Sequence, residues 1–180
     1  MTKYSSLILI FIFSLLVTGT TSADAFRDSL EKGSMGDTRL VINLASKHVG
    51  SEGVWFKGEF TAFNESNYGI GLEQDINRAG TVSLVGGLYD DSFTTTAFYA
   101  GAAGRKWLNK NVALGVTGAF ASSKGYNERG YSRFGLVPIF AGVLTLTTGT
   151  YGVNLSYTPV GLISKEVDGI YALQLTMKIK

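Results

Sequence analysis

The chain has 180 residues, a formal charge of +2, 45% hydrophobic residues, 23 glycines, 2 prolines and no cysteine. The near-neutral balance leaves no footprint for a nucleic-acid partner, and the lack of cysteine excludes a disulfide framework, a lipoprotein anchor, thiol catalysis and thiolate-bound zinc. At 17% charged residues the composition is too apolar for disorder.

The first element is a secretory signal over residues 1–23. Lys3 supplies the positive start, residues 7–17 are apolar except for Ser14, and Ala23 and Ala25 offer cleavage points. That run is too short to span a bilayer as a helix. What remains, roughly 155 residues, is a normal length for one domain. Residues 24–32 follow, with Phe26 and Leu30 four apart and charges between them. They predict a short amphipathic helix lying at the inner membrane interface, ended by Gly33, Gly36 and Asp37.

Beyond residue 38 the chain alternates large apolar with small or polar residues, the period of a strand with two unlike faces. Eight segments carry the pattern: 39–48, 67–74, 81–89, 96–107, 112–121, 135–146, 150–158 and 167–179. In the last, Tyr171, Leu173, Leu175, Met177 and Ile179 share one face, and Ala172, Gln174, Thr176 and Lys178 the other. The connections 75–80, 108–111 and 147–149 are short. Those over 49–66, 122–134 and 159–166 are longer, and 90–95 lies on their rim. Short turns at one end and long loops at the other are the pattern of an outer-membrane barrel.

The fold class expected is therefore all-β, an eight-stranded antiparallel transmembrane β-barrel occupying residues 24–180. Its large apolar face should meet lipid, because the opposite arrangement would leave an exterior of glycine and alanine with too few charges for water. A soluble, lipocalin-like barrel with the faces reversed is the alternative.

His48 is the single histidine and stands at the outer end of the first strand. Asp91 and Ser92 occupy the loop after the third strand, on the same rim. An imidazole near neutrality can act as a base, a hydroxyl needs such a base, and a carboxylate can orient the ring. Asp91 is the preferred carboxylate and Asp90 the second choice. A solvated histidine beside an Asp-Ser turn explains the same residues without catalysis.

The order of these segments resembles the lipid A palmitoyltransferase family (PagP). The likeness is carried by His48, by Phe63-Asn64-Glu65-Ser66 with Gly69-Ile70-Gly71-Leu72, and by Gly87-Leu88-Tyr89-Asp90-Asp91-Ser92-Phe93. It continues through Ala100-Gly101, Leu114-Gly115-Val116-Thr117-Gly118-Ala119, Leu136-Val137-Pro138 and Ser156-Tyr157-Thr158-Pro159. It spans most of the mature chain. Ser66 replaces the family's arginine, and Lys180 stands where a terminal aromatic is usual.

The resemblance implies a barrel with a short N-terminal amphipathic helix, integral to the Gram-negative outer membrane. It would move a palmitoyl chain from a phospholipid to lipid A, with His48, Asp91 and Ser92 as the catalytic set. His48 would be the base toward the accepting hydroxyl, and Ser92 either nucleophile or oxyanion-side polar group. Inward Gly87, Gly101 and Ala103, with Gly115 and Ala119, would leave a slot for one acyl chain, and Ala103 falls where the family's chain-length-setting glycine stands. Pro138, lacking an N–H, would loosen strand pairing where lipid enters sideways. Lys47, Lys57, Lys124, Arg129, Arg133 and Lys165 could meet lipid A phosphates. The implied partners are lipid A, phospholipid and the outer-membrane assembly machinery. No cofactor, metal or nucleic acid is implied, and a monomer is expected. The competing functions are a non-enzymatic OmpA/OmpX-type barrel and a lipid A deacylase.

Overall fold

The computed structural model describes residues 35–132, 134–160 and 167–180. The signal at 1–23, the helix expected over 24–32, Arg133 and Lys165 lie outside the described residues.

In chain order the elements are β1 (Thr38–Val49), β2 (Gly53–Phe56), β3 (Glu59–Ala62), β4 (Gly69–Asp75), β5 (Val82–Asp90), β6 (Thr96–Asn109), β7 (Val112–Ser123), a short helix α1 (Lys124–Glu128), β8 (Val137–Thr147), β9 (Tyr151–Pro159) and β10 (Gly169–Lys178). Eight of the strands close a barrel in the order β1-β10-β9-β8-β7-β6-β5-β4, with β4 returning to β1. Every ladder is antiparallel. The eight segments of alternating sequence are these eight strands, displaced by one or two residues at most ends. Short turns follow β4, β6 and β8 on one rim, and the long connections occupy the other.

The long connection expected over 49–66 contains a hairpin. β2 and β3 pair through Trp55 with Phe60 and Val54 with Thr61. The turn between them places Lys57 at φ 53° and Gly58 at φ 86°. Two left-handed residues give the turn twist that matches a two-residue hairpin.

The two faces divide as the alternation requires. Ile70, Leu84, Phe120 and Phe140 point outward and are more than half exposed. An apolar exterior of this kind is stable only in lipid, so the barrel is transmembrane and the water-soluble alternative fails. Inside, the half nearer the short turns is filled by charge. Arg105 donates from both terminal nitrogens to the two oxygens of Glu73, each at 2.7 Å. Arg39 donates to Asp75 at 2.8 Å and Glu73 at 3.1 Å, and Ser83 donates to Asp75 at 2.6 Å. Thr145 accepts from Arg105 and donates to Asn154 at 2.8 Å. Each of these buried charges thus has an opposite partner, the condition under which such groups are tolerated.

The half nearer the long loops is more open. Ile139, Ser156, Thr158, Ile170 and Ala172 alternate inward on β8, β9 and β10 yet are only half-buried. The wall is also interrupted at that end. The ladder between β8 and β9 begins at Gly142 with Tyr157, leaving residues 137–141 of β8 without partners on β9. The ladder between β1 and β4 ends at Asn43 with Gly69. Pro138 lies within the first interruption, where its missing N–H removes a ladder donor.

Candidate functional site

His48 is the next-to-last residue of β1 and turns its ring inward. β1 neighbours β4, and β4 neighbours β5, so the connection after β5 arrives two strands from His48. Residues 63–67 fill the space between. Ser46 N–H donates to the Glu65 carbonyl at 2.8 Å, and Asn64 N–H donates to the Ser92 carbonyl at 2.8 Å. The Asn67 side chain donates to the Asp90 carbonyl at 2.8 Å and accepts from the Ser46 hydroxyl. Two asparagines therefore tie the end of β1 to the loop that carries Asp91 and Ser92.

The result is a buried contact between His48 Nε2 and Ser92 Oγ at 3.0 Å. His48 is 6% exposed and Ser92 8%. Phe63 stacks on the imidazole, with ring centroids 3.9 Å apart and planes 14° apart. A stacked aromatic fixes the plane of the ring without touching its nitrogens. Phe93 lies 6.0 Å from Phe63, stacks with Tyr131 and carries the Arg129 guanidinium 4.0 Å over its face.

Asp91 departs from the expectation that it orients the imidazole. Its carboxylate is fully buried and turned into its own loop. Oδ1 accepts from the N–H groups of Phe93 at 2.8 Å and Thr95 at 2.9 Å. Oδ2 accepts from the Thr95 hydroxyl at 2.6 Å and from the Ser123 hydroxyl. An acidic side chain that closes a turn on its own backbone two residues on is common loop chemistry, and here it prevailed. Among the described residues His48 Nδ1 has no hydrogen-bond partner. Asp90 meets the site through its backbone carbonyl. The structure therefore brings His48 and Ser92 together and assigns Asp91 to holding Ser92 in place.

Ser123 also caps α1, accepting from Tyr126 N–H at 3.0 Å. Gly125 N–H donates to Thr95 Oγ1 at 2.9 Å. A side chain at Gly125 would stand 2.6 Å from the Asp91 carboxylate, so glycine is what lets α1 close over the loop. Phe63, Ser123, Thr95 and Gly125 were not singled out by their chemistry. Phe63 alone had a signal, since it opens the motif that carries the family resemblance.

The slot residues divide. A Cβ at Gly87 would lie 2.5 Å from the Ile70 carbonyl, and one at Gly101 would lie 2.2 Å from the Gly118 carbonyl. These two glycines allow the close approach of neighbouring strands at their positions. Ala103 faces inward and is buried. The accessible part of the bore lies across from them, along β8, β9 and β10.

Of the basic outer residues, Lys47 bridges Glu65 at 3.0 Å and Lys124 bridges Glu128 at 3.6 Å. The hydrogen bond from Lys47 holds the Glu65 carboxyl below its ordinary range. Lys57 sits over Phe56. Arg129, through Phe93, is the one joined to the loop of Ser92. No group of three metal-ligating side chains occurs among the described residues.

No protein-family model matches the chain, and no curated protein matches it significantly in sequence. Among solved structures, the de novo designed protein TMB2.3, determined by solution NMR, aligns with a TM-score of 0.56 at 9% identity, over 82% of this chain and 97% of that one. The Yersinia pestis outer membrane protein Ail, determined in a phospholipid bilayer nanodisc, aligns with a TM-score of 0.44 at 11% identity, over 80% of this chain and 99% of that one. At such identity the designed barrel is a likeness of fold alone.

Proposed function

We propose that this chain is an acyltransferase of the Gram-negative outer membrane that moves a palmitoyl-type chain from a phospholipid to lipid A. The observation that carries the reading is the buried 3.0 Å contact between His48 and Ser92, the only histidine with a hydroxyl, at the long-loop mouth of a lipid-embedded barrel. The sequence resemblance to the lipid A palmitoyltransferases puts the same residues at the centre.

The chemistry follows from that pair and the bore beneath it. The donor's acyl tail occupies the half-open interior along β8 to β10, gaining about 0.8 kcal/mol per buried CH₂. Its ester carbonyl then sits at the rim. His48 takes the proton of the accepting lipid A hydroxyl, and the oxygen attacks the carbonyl carbon. The ester C–O bond to glycerol breaks, and the departing lysophospholipid oxygen takes the proton back from the imidazole. Ser92 holds Nε2 in line, and its hydroxyl is also placed to stabilise charge on the carbonyl oxygen or to carry the acyl group between donor and acceptor. The interruptions of the wall beside β8 and β1 give lipid a sideways approach.

One observation favours a second reading, a non-enzymatic barrel: among the described residues His48 Nδ1 has no hydrogen-bond partner to orient the ring. Mass spectrometry of lipid A from cells expressing the wild type, His48→Ala and Ser92→Ala separates the two. The enzyme adds the mass of one palmitoyl group, and both variants abolish the addition. Unmodified lipid A in all three supports the non-enzymatic barrel, and loss of an acyl mass points to a deacylase.

A further inference from the structure

The rim opposite His48 carries a recess of about 1580 Å³, bordered by the turns after β4, β6 and β8. It runs from the mouth of the bore, at Arg39 and Asp75, over the edge and onto the outer wall of β6 and β7. There Lys106 and Leu114 point outward as ladder partners, with Val116 beyond them. The volume exceeds the 300–1,000 Å³ usual for a small-molecule pocket, and the recess continues onto a lipid-facing surface.

Its charge is unbalanced. Two acids line it. Asp37 is taken by Arg39 at 3.2 Å and Lys178 at 2.6 Å, and Asp75 by Arg39 at 2.8 Å. Arg78, Lys106 and Lys110 also line it, and none has an acidic partner among the described residues. The three cations are on one side of the rim and their backbones are held. Trp107 Nε1 donates to the Gly80 carbonyl at 3.0 Å, which ties the turn bearing Arg78 to β6. Asn109 Oδ1 accepts from the N–H groups of Asn111 at 2.8 Å and Val112 at 3.0 Å, which closes the turn bearing Lys110.

We propose that this recess binds one anionic phospholipid of the inner leaflet, with its phosphate among Arg78, Lys106 and Lys110 and an acyl chain against Leu114 and Val116. Charge complementarity selects the occupant. Cations at headgroup level directly beneath an apolar wall match a molecule that is anionic at one end and greasy at the other, and each such cation contributes roughly fivefold to binding an anionic lipid surface. The inference rests on the membrane placement proposed above and not on acyl transfer.

The test is native mass spectrometry of the full folded chain released from nanodiscs of equal parts phosphatidylglycerol and phosphatidylcholine. The wild type is expected to retain phosphatidylglycerol at least tenfold over phosphatidylcholine. The triple variant Arg78→Gln, Lys106→Gln, Lys110→Gln should lose that preference, and the charge-keeping triple Arg78→Lys, Lys106→Arg, Lys110→Arg should preserve it. Equal retention of the two lipids by the wild type, an unchanged preference in the neutral triple or loss of preference in the charge-keeping triple overturns the proposal. So does displacement of the lipid by millimolar inorganic phosphate, which marks a small-anion site. Lipid A modification measured on the same variants should not change, so a failure here is distinct from a failure at the outer rim.

Discussion

The Asp91 carboxylate accepts a hydrogen bond from the Ser123 hydroxyl, joining the loop after β5 to the cap of α1. Ser92 owes its position beside His48 to this junction. Ser123→Ala removes one donor from a buried carboxylate and should lower stability by about 2 kcal/mol, the scale of a hydrogen bond to a charged group. The His48 ring resonances should shift with it, because Ser92 moves. Urea unfolding in lipid and NMR of the single histidine check both effects. A destabilised protein with an unchanged His48 spectrum would show that the junction does not position the pair.

Phe63 holds the plane of the imidazole. Phe63→Leu keeps bulk and removes the stack, worth about 0.5–1.5 kcal/mol, so acyl transfer should fall roughly two- to tenfold. Phe63→Tyr should restore it. Equal losses in the leucine and tyrosine variants would mean that stacking is not the cause.

The pair of Arg105 and Glu73 is the most buried ion pair among the described residues, with side chains 5% and 3% exposed. Glu73→Gln leaves Arg105 buried without its full counter-charge and should cost about 3–5 kcal/mol. The double variant Glu73→Leu with Arg105→Met removes both charges and should cost less than the single one. Equilibrium unfolding of folded barrels in lipid vesicles measures each, and a double variant that is the less stable of the two would contradict the argument.

Ala103 tests the acyl slot. Its methyl faces into the bore, where the proposed function puts the end of the acyl slot. Ala103→Gly should lengthen the preferred donor chain by about one or two carbons, at roughly 0.8 kcal/mol for each CH₂ accommodated. A panel of phospholipid donors of graded chain length reads this out. An unchanged preference would place the end of the slot elsewhere.

The strands were legible because each must present one face to lipid and the other to a narrow bore, and that demand writes a period of two into the sequence. The same period gave the facing and the two rims. The hairpin of β2 and β3 was missed because its strands are only four residues each, too short to show a period of two, although Lys57-Gly58 between aromatic residues is a turn signal. At the site, chain order located His48 and Ser92 on one rim. It could not show that Asp91 spends its carboxylate on Thr95 and Ser123, since a loop's internal bonds depend on where α1 docks. The network around Arg105 was illegible for a related reason. Arg105 on β6 and Glu73 on β4 have β5 between them, and only the curvature of the wall brings their side chains together across it.

Where β8 rises past its ladder with β9, the cylinder behaves as a sleeve left unbuttoned at one end. Its lower part keeps its circumference through continuous bonding around a charged plug. At the unbuttoned end β8 keeps its ladder with β7 but has none with β9, so the two edges can part by bending, with no β8–β9 ladder to unzip. Widening there is consequently a matter of elastic strain in a few residues, and within β8 the amides of 137–141 that face β9 should exchange faster than those bonded to β7 and those of the strands below.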